Sequence, residues 1–221
     1  MSRPNATRPG PASSAGSGRW DVLRAWAGVH STATAGRTLA VIAVGSLVLS
    51  QVSFSDFGMV RLISPMSALL LLPVIAGAAA AIACDNTARL PLPDPPGAKL
   101  ARAVWAAAWT TAAGLATTAG ILVGSPAGWG AIVRNLLIYN GLGLIVLALG
   151  YPHLTWLPAL TYTMACMLFG YPNNGLGYYW WATVMTDQAT TADVVCAGGI
   201  YLAAFASYVA PIRRRRNEDM L

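Results

Sequence analysis

Charge is what this chain has least of. Asp, Glu, Lys and Arg make up 10% of its 221 residues, against about 25% in an ordinary soluble domain. A water-soluble globule so poor in charge could not cover its own surface. That excludes a cytosolic enzyme, a disordered protein and a small disulfide-stapled scaffold. Lysine occurs once, as Lys99 in Gly97-Ala98-Lys99-Leu100. A phosphate-cradling loop needs Gly-Lys-Ser/Thr, because the lysine reaches the terminal phosphates, so the chain is read as hydrolysing no nucleotide by itself. Glutamate occurs once, as Glu218, which excludes a glutamate-based intramembrane protease. The two histidines, His30 and His153, are isolated, and no GxSxG accompanies them. Cys84, Cys166 and Cys196 lie far apart in apolar runs without CxxC spacing and read as small buried hydrophobes. No catalytic residue, cofactor-binding residue or metal ligand is assigned, and the chain is read as a non-enzyme.

What the chain has instead is apolar length. Hydrophobic residues make up 56% and the mean hydropathy is +0.54. A helix needs ~20 apolar residues to cross ~30 Å of hydrocarbon, so the distances between charges count the spans. Residues 38–55 and 62–84 are uncharged, as are 103–133, whose last part, Ser125-Pro126-Ala127-Gly128, reads as a turn. Residues 135–186 are long enough for two spans, divided by Gly150-Tyr151-Pro152-His153. Residues 194–212 make the last. The fold class expected is an all-α integral membrane protein with six transmembrane helices and an N-terminal interfacial amphipathic helix. With the N-terminus inside, 12 of the 14 basic residues fall on the inner side and only Arg61 and Arg134 outside. Both termini are therefore expected in the cytoplasm of a bacterial inner membrane.

The remaining segments divide the chain. Residues 1–18 are rich in Pro, Ser, Gly and Ala and read as a disordered cytoplasmic tail rather than a signal peptide. Residues 19–36 hold an interfacial helix, with Trp20, Leu23 and Trp26 on one side, and its lead-in. Residues 37–212 form the six-span domain, and 213–221 a basic cytoplasmic tail that favours the anionic inner leaflet over nucleic acid. The inner loop 85–102 carries Asp85, Arg89, Asp94, Lys99 and Arg102 and is stiffened by four prolines. It reads either as a docking surface for a soluble partner or as a tether. The outer segment 171–190 carries Tyr178, Tyr179, Trp180 and Trp181 and reads as a gate or as an aromatic belt folded onto the interface. Arg134 and Asn135 open span four as an intramembrane polar candidate, with snorkelling to the headgroups as the plainer account. Asp187 and Asp193 are read as staying in water. Ala116, Gly120 and Gly124 form a small-residue stripe on which another helix can pack closely.

This order of parts resembles the membrane subunit of type-2 ABC exporters, over about residues 19–216 in layout. The stretch 85–105 and the Arg134-Asn135-Leu136-Leu137 start of span four are similar to membrane proteins common in actinobacterial gene clusters. The resemblance implies that 19–29 is the elbow helix, that 85–102 contacts a separate nucleotide-binding ATPase subunit, and that 171–190 is a re-entrant outer hairpin. It also implies that two membrane subunits, as a homo- or heterodimer, enclose the export path. The residues themselves leave two other readings open. One is a non-transport membrane scaffold or immunity protein, and the other is the solute-binding membrane subunit of an importer.

Overall fold

The structure, a computed structural model, describes residues 32–57, 60–85, 98–172 and 177–210. Trp20, Leu23 and Trp26, then Arg89 and Asp94, the Asn173-Asn174-Gly175 turn and the 213–216 cluster lie outside the described residues. Among the described residues, six α-helices and one β-hairpin follow in the order α1 (Thr32–Val48), β1 (Ser53–Phe57), β2 (Val60–Ser67), α2 (Leu72–Ala83), α3 (Ala98–Thr118), α4 (Trp129–Ala148), α5 (Leu157–Phe169) and α6 (Thr191–Val209). The protein is thus mostly helical. Among the same residues three helical stretches, Lys99–Val123, Trp129–Ala148 and Thr191–Val209, are long and apolar enough to cross a membrane.

The other three helices coincide with the remaining expected spans but are shorter. At ~1.5 Å per residue, α2 with 12 residues reaches about 18 Å and α5 with 13 about 20 Å. Both fall short of a ~30 Å hydrocarbon core. α1 begins at Thr32, ahead of the expected boundary at Arg37, and ends at Val48. Its Ala35, Leu39, Ile42 and Ser46 share the buried face, while Val41, Val44 and Val48 are exposed on the other.

The hairpin corrects the all-α expectation. Spans drawn over 38–55 and 62–84 both lose residues to it, because counting uncharged residues ignores their period. Val52-Ser53-Phe54-Ser55 alternates apolar with polar, which is the period of a strand and not of a helix. Phe54 pairs with Met66 and Phe57 with Val60, and Asp56 stands opposite Arg61. The register shifts between Phe54 and Asp56, opposite the stretch that holds Pro65, which has no N–H to give to a ladder.

The helices pack through small residues. α4 is the axis: 61% of its most apolar 18 residues are buried inside the protein, against 28% and 22% of the corresponding 18 residues in the membrane-length stretches containing α3 and α6. α2 lies against α4 almost backbone to backbone. A Cβ on Gly77 would stand 2.8 Å from the Asn140 backbone nitrogen, and one on Gly143 would stand 2.7 Å from the Ala81 Cβ. The small-residue stripe on α3 is half used in this way. Ala116 and Gly120 receive α1, with the Ser46 hydroxyl donating to the Ala116 carbonyl at 3.0 Å. Gly124 instead has φ +91° and ends the 3-10 turn Ala119–Val123.

Two sets of exposed aromatics bracket α4. Trp129 is exposed at its start, and Tyr151 and Trp156 are exposed just beyond its end. The 20 residues of α4 separate them by about 30 Å at ~1.5 Å each, the thickness over which aromatics mark bilayer interfaces.

The glycines of α2 and α6 should respond oppositely to one methyl group. Gly77→Ala should lose roughly 1–3 kcal/mol of stability through overpacking. Gly198→Ala, with nothing within 4 Å of its Cβ position, should gain up to about 1 kcal/mol from helix propensity. Unfolding by SDS titration in mixed micelles measures both.

Candidate functional site

The hairpin end of the molecule holds its densest buried polar cluster. It is centred on two adjacent residues in the second turn of α4. Arg134 and Asn135 are both 0% exposed. Their partners come from segments far away in sequence. The 3-10 turn Trp180–Met185 runs between α5 and α6 and buries Ala182, Val184 and Met185. Carbonyls at the C-terminal end of such a turn have no partner within it and carry partial negative charge. Arg134 and Asn135 supply the missing donors. The Asn135 amide Nδ2 donates to the Val184 carbonyl at 2.8 Å and to the Leu70 carbonyl at 3.3 Å. Arg134 Nη2 donates to the Thr186 carbonyl at 3.0 Å. Its Nη1 donates to the Thr186 hydroxyl at 3.0 Å and the Gln188 carbonyl at 3.3 Å. Arg134 Nε donates to Asn135 Oδ1 at 3.0 Å, and this contact fixes which way the amide faces.

Around this pair the loops of the same end are tied together. The Gly128 N–H donates to the Asp187 carbonyl at 2.8 Å. The Ser67 N–H donates to Asp187 Oδ1 at 3.1 Å. The Gln51 amide donates to the Gly124 carbonyl. A Cβ on Gly128 would stand 2.9 Å from Gln188 Oε1, the tip of a flexible exposed side chain that can move aside. Hairpin, α3–α4 connection and α5–α6 connection thus form one hydrogen-bonded layer.

Arg134 is fully buried, and its guanidinium turns inward onto the carbonyl end of the embedded turn. Asp187 and Asp193 are half-exposed and hydrogen-bonded. Asp187 holds the hairpin, and Asp193 closes a capping box at the start of α6, accepting from the Thr190 N–H at 2.9 Å while its own N–H donates to the Thr190 hydroxyl at 3.2 Å.

The four aromatics of the α5–α6 connection divide. Tyr179 and Trp180 are exposed, while Tyr178 and Trp181 pack against the core. Tyr179 stacks on Trp181 with ring centroids 6.3 Å apart, and the Trp181 carbonyl accepts from the Tyr162 hydroxyl. At the opposite end, Lys99 is exposed and Asp85 and Arg102 are half-buried, both within electrostatic reach of the Tyr208 hydroxyl. That hydroxyl donates to the Cys84 carbonyl at 2.8 Å, and Trp105 Nε1 donates to the Ala83 carbonyl at 2.8 Å. These are the last carbonyls of α2. Cys84 and Cys166 are buried as expected, whereas Cys196 is exposed on α6.

No motif in the sequence marks a third cluster, at mid-length of α3, α4 and α6. There Thr110 Oγ1 lies 2.9 Å from the Tyr201 hydroxyl and accepts from Asn140 Nδ2 at 2.7 Å. Asn140 Oδ1 is buried without a hydrogen-bond partner. Among the described residues, no group of three His, Cys, Asp or Glu side chains is placed to hold a metal ion. Searches of protein-family models, curated proteins and solved structures find no match to this chain.

Arg134→Met should leave the Thr186 carbonyl and the buried Asn135 Oδ1 without a donor and cost roughly 2–6 kcal/mol, at about 1–3 kcal/mol for each unsatisfied group. Arg134→Lys should recover less than half of that, since a point charge cannot serve four acceptors as a planar fork does. Unfolding midpoints in mixed micelles report both values.

Proposed function

We propose that this chain is the membrane-spanning subunit of an ABC-type exporter, forming the translocation path and driven by a separate ATPase subunit. The observation that carries this reading is the α5–α6 connection. It leaves α5 at the hairpin end, embeds the 3-10 turn Trp180–Met185 among the helices and returns to start α6 at the same end. A buried element that does not cross suits the re-entrant outer hairpin of such subunits. In this reading the hairpin end faces outward from a bacterial inner membrane. The end with Asp85, Lys99 and Arg102 faces the cytoplasm and the ATPase. Both termini lie on the cytoplasmic side, and two membrane subunits, alike or different, line the path.

A second reading has an observation of its own. The side chains of Arg134, Asn135 and Asp187 at the hairpin end are consumed by bonds within the protein, most of them to the backbone, and that suits a membrane scaffold or immunity protein that only occupies a complex. Co-expression separates the two. The exporter reading expects an ATPase encoded beside this chain to co-purify with it and to change its hydrolysis rate by at least twofold on assembly. No co-purification and no change in rate would count against transport. Unchanged export after deletion, together with loss of a partner's stability, would favour the scaffold.

A further inference from the structure

The mid-length cluster of α3, α4 and α6 holds one polar atom that the protein itself does not serve. Thr110 sits at its centre and is fully used. Its hydroxyl proton goes to the Ala106 carbonyl at 2.7 Å, so its oxygen accepts from Asn140 Nδ2 at 2.7 Å and from the Tyr201 hydroxyl at 2.9 Å. Asn140 is 1% exposed, and its Oδ1 has no hydrogen-bond partner in the protein. Turning the amide over does not help. Oδ1 would then face Thr110, and the donors of Nδ2 would point where Oδ1 points now. Either way one end of a buried amide needs a partner, and buried polar groups in folded proteins are almost always paired.

Packing limits the size of that partner. On the α2 side, a Cβ on Gly77 would stand 2.8 Å from the Asn140 backbone nitrogen, and on the α6 side one on Gly141 would stand 3.4 Å from the Tyr201 Cα. Contact this close leaves no place for a solute between those helices. α3 meets α4 more sparsely. One turn to either side of Thr110 it presents only the buried methyl groups of Ala106 and Ala113, so any room beside the amide lies toward α3. We infer that Asn140 holds a single buried water between α3, α4 and α6. Water fits by chemistry as well as by size, since it donates to Oδ1 in one orientation of the amide and accepts from Nδ2 in the other. The Tyr201 oxygen, having given its own proton to Thr110, keeps an acceptor for the second proton of that water. The site lies within one chain and does not depend on the exporter reading.

The test is X-ray hydroxyl-radical footprinting of the full chain in nanodiscs, read by mass spectrometry. Radicals formed from a bound water react with the side chain beside it before they diffuse away. Tyr201 is the reporter. Tyr162 is the reference, because it too is half-buried at mid-length of its helix and its hydroxyl is engaged by the Trp181 carbonyl. In the unaltered protein Tyr201 should be hydroxylated at least threefold faster than Tyr162. Asn140→Leu keeps the volume and removes both amide groups. It should slow Tyr201 at least threefold and leave Tyr162 and the exposed Tyr179 within twofold of their former rates. Asn140→Val, with less volume, gives the same reading where leucine crowds the site. A Tyr201 rate below three times that of Tyr162 in the unaltered protein overturns the water without any substitution. A Tyr201 rate that falls less than threefold in the variants overturns its placement on Asn140.

Discussion

The structure depends on donors for the carbonyl ends of segments that enter the protein without crossing it. A buried turn leaves carbonyls unpaired at its C-terminal end, and a buried unpaired carbonyl costs about 1–3 kcal/mol. Here two such ends, at Leu70 and at Val184–Thr186, meet Arg134 and Asn135 on one turn of α4. Without those side chains neither the hairpin nor the α5–α6 connection has a reason to lie where it does. Arginine suits the place because its planar donors serve several acceptors at once. No carboxylate needs to touch it, since the acceptors are themselves the negative end of a helical turn.

The second constraint is the width of the helices. α4 is packed most closely by α2 and α6, and neighbours can approach so closely only where side chains are nearly absent. Gly77 and Gly143 bring α2 and α4 into backbone contact, and a Cβ on Gly141 would stand 3.4 Å from the Tyr201 Cα on α6. Ala81 at 0% exposure and Ala197 at 1% take the same role from the partner helices. Larger apolar side chains divide: Ile132, Leu136 and Leu144 of α4 are buried, while Val41, Leu115, Val195 and Leu202 on the outer helices are exposed. In a soluble protein the exposed set would be an aggregation hazard. On helices long and apolar enough to cross a membrane, such a surface suits lipid tails.

Local chemistry was legible in the sequence, and remote pairing was not. The breaks at 125–128 and at Gly150-Tyr151-Pro152-His153 were read from glycine and proline alone. They stand where Gly124 and Gly150 adopt φ +91° and +88°, a conformation that glycine takes without a Cβ penalty. The uncharged runs over 103–124, 135–149 and 194–212 fall largely on the helices over 98–118, 129–148 and 191–209. The hairpin was present as a short alternation in Val52-Ser53-Phe54-Ser55, but counting between charges passed over it. Thr190-Thr191-Ala192-Asp193 spells a capping box and could have placed the start of α6. Arg134 stood out, yet its role depends on residues some fifty positions later. No spacing rule connects those positions before the chain is folded. Thr110, Asn140 and Tyr201 were invisible for the same reason, each being unremarkable on its own helix.

That mid-length cluster shows how strength is distributed along the molecule. The Thr110 hydroxyl has one proton, and it is given to the Ala106 carbonyl at 2.7 Å. Thr110 can then only accept from Asn140 and Tyr201. The donors at this depth run out before the acceptors do, and Asn140 Oδ1 is left over. At the hairpin end the count runs the other way, because the Arg134 fork brings donors enough for every carbonyl it faces. The helices are therefore joined by well-supplied carbonyls at the hairpin end, by side-chain caps on α2 at the opposite end, and by a shared Thr110 hydroxyl with one amide oxygen left without a protein partner between them. A bundle fastened in that pattern resists separation of its ends more than relative rotation at its middle.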